Sequence, residues 1–151
     1  MKDYKEFQFG WILFVFMIPM QIMVTFFYYN DIGDRPLETS VFWVINLIIF
    51  LICLLFYGMT TKLKTDSISL AYGIGLVRSR IQLNKIKSIE IVKNPWYYGR
   101  GIRLIPKGVL YNIQGSDGIE LKFNYTNRLV RIGTKDPIKL KQEIEKRLSA
   151  K

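Results

Sequence analysis

Residues 9–29 read FGWILFVFMIPMQIMVTFFYY, 21 positions without one Asp, Glu, Lys or Arg. As an α-helix rising about 1.5 Å per residue, the run spans about 31 Å. That matches the hydrocarbon core of a bilayer, roughly 30 Å thick. Working outward, a second run at residues 41–57, VFWVINLIIFLICLLFY, has 17 residues and spans about 26 Å. It sits at the short end of the spanning range, and Ser40 and Gly58 extend it. The expectation is two transmembrane helices, about 9–29 and 41–58, joined by a loop at 30–40. Pro19 and Gln21 interrupt the first run and Asn46 the second. Polar groups in an apolar helix turn toward another helix, so Gln21 and Asn46 are expected to meet within the membrane. Trp11 and Tyr57 fall at one end of the pair, and Tyr28, Tyr29 and Trp43 at the other, where interfacial aromatic belts belong.

The loop carries Asp31, Asp34 and Glu38 against Arg35, while Lys2, Lys5, Lys62 and Lys64 flank the opposite ends. The positive-inside rule makes the loop external and both termini cytoplasmic, as in a multi-pass protein of the cell membrane. A cleaved signal peptide is the competing reading, but the apolar run is too long and no small-x-small site follows it. A helical hairpin buried in a soluble core is the other, and the remaining residues are too few to enclose it.

Charge divides the chain sharply. Residues 60–151 hold 19 Lys and Arg against 7 Asp and Glu, out of 22 and 12 in the whole chain. A surplus of this size asks for an anionic partner such as lipid headgroups or an acidic protein. Nucleic acid would also meet the charge, but no recognition motif accompanies it, so none is expected as a partner. The chain has no histidine and a single cysteine, Cys53. Intrachain disulfides, Cys or His zinc sites and histidine acid–base chemistry are thereby excluded. The acidic residues of this half show no paired spacing, and the glycines at 73, 75, 99 and 101 complete no G-x-G-x-x-G. No metal, cofactor or enzymatic activity is expected. Cys53 reads as a small apolar residue, and the glycosylation match at Asn124 falls on the cytoplasmic side.

Beyond Gly58 the pattern changes to period two, the strand signal. Seven runs stand out, at 68–72, 76–83, 88–93, 102–105, 109–113, 119–123 and 128–132, separated by turn residues such as Gly73 and Gly75, Asn94-Pro95 and Ser116-Asp117-Gly118. An antiparallel meander is the simplest arrangement. Asp136-Pro137 then supplies an N-cap and a first-turn proline. The chain runs on to its end without Gly or Pro, with Leu140, Ile144 and Leu148 at helical spacing. A C-terminal amphipathic helix should cap the sheets.

Three groups are candidate binding residues. Lys62 and Lys64 follow the second helix so closely that residues 58–67, as a tether, reach at most about 36 Å, which holds them near anionic headgroups. Arg78, Arg80 and Gln82 share one face of a strand, either to grip phosphate or as an ordinary solvated surface. The segment Trp96-Tyr97-Tyr98, with Arg100 and Arg103, is either an interfacial or partner-binding knob or a cap on the sandwich core.

Seven strands closed by one amphipathic helix, behind paired membrane helices, resemble the bacterial pleckstrin-homology domain family. The resemblance is carried by Asp66-Ser67-Ile68-Ser69-Leu70, by Ile81-Gln82-Leu83-Asn84-Lys85-Ile86 leading to Ile89, by Tyr98-Gly99-Arg100-Gly101-Ile102-Arg103, and by Val130-Arg131-Ile132-Gly133-Thr134 followed by Pro137, Leu140 and Ile144. It covers about residues 60–148. It implies a mainly-β body, a seven-stranded sandwich or barrel capped by a helix, at 60–151, with the two membrane helices at 1–59. It also implies a binding or scaffolding role rather than catalysis, with a protein partner or a second copy of the chain held at the inner leaflet. The phosphoinositide binders of the wider fold use a basic first turn, which here is only Gly73-Ile74-Gly75. An accessory, immunity or stress-resistance protein acting through its helices is the alternative, and an enzyme at the membrane surface a remote one.

Overall fold

The structure, a computed structural model, describes residues 4–33 and 35–149. Lys2 and Asp34, which entered the topology reading, lie outside the described residues. Two helices, α1 (Trp11–Tyr29) and α2 (Thr39–Phe56), are long and apolar enough to cross a membrane. They are framed by strands the sequence reading missed. β1 (Tyr4–Phe9) precedes α1, and β2 (Gly58–Leu63) follows α2 directly. The chain continues through β3 (Ser67–Tyr72), β4 (Val77–Gln82), β5 (Ile86–Lys93), β6 (Gly101–Ile105), β7 (Gly108–Asn112), β8 (Asp117–Phe123) and β9 (Leu129–Gly133) to α3 (Pro137–Ser149).

The expected seven strands are all present as β3 to β9, but there are nine among the described residues, and they are not a meander. One sheet has the order β1-β2-β3-β4 and the other β5-β8-β9-β7-β6, with β7 and β9 parallel. Gly108 permits that parallel pairing, because a Cβ there would collide with the backbone of Leu129. The boundary at 59/60 is likewise corrected, since residues 4–9 belong to the sheet and the helical hairpin is an insertion between two paired strands. Residues 58–63 are no tether either: β2 is hydrogen-bonded to β1 on one side and β3 on the other.

Alternation explains the core. Leu63, Ile68, Leu70, Ile81, Ile119, Leu121 and Ile132 point between the sheets, and Leu140 and Ile144 of α3 complete the cluster. Each such side chain contributes about 1.5–3 kcal/mol on full burial. α3 starts where its capping residue directs, with Lys139 N–H donating to Asp136 Oδ1 at 2.9 Å. A smaller cluster of Met59, Tyr72 and Ile113 sits toward the hairpin.

β1 pairs with β2 but has no backbone partner in the second sheet, and side chains close that seam. Glu6 accepts from Tyr4 Oη at 2.7 Å, Thr134 Oγ1 at 2.6 Å and Lys135 N–H at 2.8 Å. Buried Gln8 donates to Gly133 O at 2.8 Å. Glu6→Ala should therefore lower stability by about 2 kcal/mol and speed amide exchange throughout β1; exchange unchanged in β1 would show that the seam does not depend on this carboxylate.

Burial pushes the Tyr72 phenol well above the ordinary tyrosine value, and burial followed by the Glu6 carboxylate does the same to Tyr4. Above about pH 10 the unfolded phenols ionise while the folded ones keep their protons. The unfolded state then binds fewer protons, so stability, intact below that pH, falls as pH rises. Urea midpoints measured through this range should decline, and Tyr72→Phe should flatten the decline.

Candidate functional site

The hairpin and the sheets meet at a rigid neck. The β1–β2 ladder ends at Phe9 opposite Gly58, and one further bond, Gly10 N–H to Tyr57 O at 2.8 Å, carries the pairing up to the helices. In the amide orientation that satisfies both neighbours, Gln114 donates to Phe9 O at 3.0 Å and accepts from Trp11 Nε1 at 3.2 Å. The β3–β4 turn presses on the last turn of α2. Gly73 has a positive φ of 51°, its N–H donates to Gly58 O at 2.8 Å, and a Cβ there would collide with the Leu54 and Leu55 carbonyls. Glycine alone meets both demands.

Within the hairpin, Gln21 Nε2 donates to Asn46 Oδ1 at 2.8 Å, and Asn46 Nδ2 to Phe42 O at 2.8 Å. The pair expected from sequence is thus brought together. Near the far end of the hairpin, Tyr28 stacks on Phe42 with ring centroids 4.1 Å apart.

Lys62, Arg78 and Arg80 lie on the outer face of the four-stranded sheet, all exposed. The registers set out two rows: Lys5, Lys62, Ser69, Arg80, and, nearer the neck, Phe7, Thr60, Ala71, Arg78. Lys64 joins them, so that Lys5, Lys62, Lys64 and Arg78 surround a shallow groove floored by Thr60, Ser69 and Ala71. Lys5 carries no local signal as a binding residue, because nothing near it in sequence reveals that residues 4–9 pair across the hairpin insertion. Directly opposed side chains in such pairs sit about 5 Å apart, and Lys5 facing Lys62 is a like-charge pair that disfavours the fold by itself. No acidic side chain among the described residues lines this groove. Arg78 Nε donates to Gly75 O, which pins its guanidinium beside the β3–β4 turn.

Arg100 and Arg103 sit apart from that face, on the other sheet. With Ile102 they adjoin Ile12, Leu13 and Phe16 in the first turns of α1. Residues 94–100 run from β5, one edge of the five-stranded sheet, to β6 at the other, and so strap the end nearest the hairpin. Trp96 is 90% and Tyr97 67% exposed. These rings do not cap the core, which corrects one of the two readings of the segment. Tyr98 is half-buried, with the Arg131 guanidinium 5.8 Å from its ring centre. At the same end, Ile74 and Leu76 of the β3–β4 turn and Phe9 are exposed as well. Among the described residues no group of acidic, Cys or His side chains is spaced to hold a metal.

No protein-family model, no curated protein and no solved structure matches this chain. Function is accordingly read from geometry.

Gln21→Leu deletes the one side-chain bond between the two helices that joins polar groups near their middle. Interhelical bonds of this kind contribute about 0.6 kcal/mol, up to about 1.7 kcal/mol. The substitution should destabilise the hairpin in micelles by that amount, with Asn46→Leu adding little to it in a double-mutant cycle; fully additive effects would mean that the two side chains act separately.

Proposed function

We propose that this chain is a membrane-anchored binding module of pleckstrin-homology-like build, which holds a protein partner or a second copy of itself at the inner face of the cell membrane with help from anionic lipid. The observation that carries the reading is the convergence of three features on one end of the sheet body. The apolar hairpin leaves from that end through a paired, inflexible neck. Exposed Phe9, Ile74, Leu76, Trp96, Tyr97 and Ile102 surround it. The cationic face begins just behind them: Arg78 stands on the row two residues along β2 from Gly58 and Lys62 four residues along, about 7 and 13 Å at strand spacing. Those distances are comparable to a physiological Debye length of about 8 Å, and each Lys or Arg held near anionic lipid contributes about 1 kcal/mol.

In this reading α1 and α2 span the bilayer, the 30–40 loop is external, and both termini face the cytoplasm. Support for the pleckstrin-homology-like build comes from two β-sheets closed by an amphipathic C-terminal helix, with Leu140 and Ile144 inserted between them. The nine strands and the parallel β7–β9 pair extend that build beyond the seven strands read in the sequence. The strap, with Trp96 and Tyr97 outermost, rests at headgroup depth, where aromatic rings are favoured. A second reading, an accessory, immunity or stress-resistance protein working through its helices, draws on the hairpin surface: α1 buries no side chain and α2 only Phe42 and Ile49.

One set of measurements tests the anchoring. In a Cys53→Ser background, Glu38→Cys should react with an impermeant maleimide on intact cells and Ser149→Cys only after permeabilisation. With Trp11→Phe and Trp43→Phe, the remaining Trp96 should be quenched by lipids brominated near the headgroup. The reverse labelling pattern would overturn the topology, and unquenched Trp96 the interfacial placement of the strap.

A further inference from the structure

The end of the sandwich away from the hairpin carries a second, larger opening. β4 starts at the turn beside α2 and runs six residues, about 20 Å, so that Gln82 lies farthest from the neck and Arg80, on the row of Lys62, a little nearer. There the two sheets part. β4 is an edge, paired with β3 alone among the described strands, and across the gap stand the first residues of β7 and β9. The cleft between them has an apolar floor of Ile81, Val109, Leu129 and Val130. Its rim carries the exposed cations Arg80, Lys85 and Arg128, with Lys85 Nζ 5.3 Å from the Tyr125 ring centre. No acidic side chain among the described residues lines it. Beyond Arg128 an adjoining hollow adds Lys87, Lys107 and Lys122. Its one acid, Glu120, is already engaged by Arg131 at 2.8 Å and Lys122 at 3.8 Å.

We infer that this cleft is a docking site for an extended, acidic segment of a partner polypeptide. The inference rests on the proposed role as an anchored binding module and names the chemistry of its partner. An exposed edge strand presents unpaired backbone groups on which an extended peptide adds as a further strand. Alternate side chains of such a peptide point to opposite faces. One set enters the apolar floor; the other brings carboxylates to Arg80, Lys85 and Arg128. Arg80 is oriented by its Nε–H bond to Ser67 Oγ at 3.0 Å, and its terminal nitrogens have the fork geometry that a carboxylate matches. An extended peptide can pair with the free edge of β4, and the floor is mainly aliphatic, with Phe123 buried and Tyr125 the exposed ring, so a peptide fits better than lipid or nucleic acid.

The test uses the full chain in nanodiscs of neutral phosphatidylcholine and fluorescence anisotropy of a short alternating Val-Glu peptide. Binding should be saturable, weaken with salt, and be absent for an alternating Val-Lys peptide. Lys85→Gln with Arg128→Gln should weaken it at least about tenfold, and each single change, at an exposed position, part of that. The control pair Lys93→Gln with Lys139→Gln should bind as the parent does. Equal binding by the Lys85/Arg128 double variant, or equal binding of the Val-Lys peptide, overturns the proposal. Displacement of the peptide by vesicles of anionic lipid or by a single-stranded oligonucleotide also overturns it and reassigns the cleft to that ligand. An anchored chain that ignores the peptide refutes the cleft alone, while a chain absent from membranes that still binds it refutes the anchoring alone.

Discussion

The antiparallel pairing of β1 with β2 across a helical insertion governs everything else in this molecule. Strands at opposite ends of a 48-residue excursion, residues 10–57, can meet only if both helices return to the same place. The Gly10–Tyr57 bond fixes that place within one residue of the first helical turn. Loop closure over such a distance is costly in entropy. The contacts that hold α1 against α2, the Gln21–Asn46 bond and the Tyr28–Phe42 stack, shorten the effective loop and lessen that cost. Hairpin and sheet thus stabilise one another, and the neck transmits the orientation of the helices directly to the β-body.

The same constraint explains why polar groups lie inside. With β1 at the edge of one sheet and the end of β9 facing it, no ladder is available to close the seam. Glu6, Gln8 and Thr134 do the closing through side chains, at the cost of leaving Gln8 Oε1 and the neighbouring Thr61 Oγ1 buried without a partner among the described residues. A carboxylate that accepts three hydrogen bonds is strongly favoured over one left bare, so the seam is specific to this register. A slip by one residue would turn Phe7 and Phe9 inward and expel Glu6.

This inversion also marks the limit of what the amino-acid sequence reveals. Helices 11–29 and 39–56 are legible because apolar length is a local property, as are β3 to β9 and α3, whose alternation and capping are written in neighbouring residues. Residues 4–9 are not legible, because their inward residues are Tyr4, Glu6 and Gln8 while Phe7 and Phe9 face outward, opposite to the usual strand signal. β2 hides for a related reason, since Thr60, Thr61 and Lys62 look like the start of a tether. Lys62, Lys64, Arg78 and Arg80 could be picked out as cations, but their common face follows from the β1-β2-β3-β4 registers. Lys85, Arg128 and Tyr125 give no signal, because two separate connections, β4–β5 and β8–β9, bring them together. Strand order is a matter of tertiary pairing, and the parallel β7–β9 contact departs from the meander that short turns suggest.

A rigid neck has a mechanical consequence that a flexible tether lacks. A ten-residue linker would let the β-body sample a volume tens of ångströms across and turn any face toward the lipid. Pairing through Phe9–Gly58 removes that freedom, so that, with the hairpin in a bilayer as proposed, the hairpin end and the far end of the sandwich would be chemically distinct environments. In the proposed membrane setting, apolar side chains exposed at the first, such as Leu76 at 73%, would be accommodated by lipid without protein cover. Exposed cations at the second would remain in water, and the acidic partner proposed for them would be steered at ordinary salt over about 8 Å. Orientation fixed in advance also lowers the entropy lost when such a partner binds. If the cleft binds as proposed, loosening the neck should weaken capture there even where every residue of the cleft is left untouched.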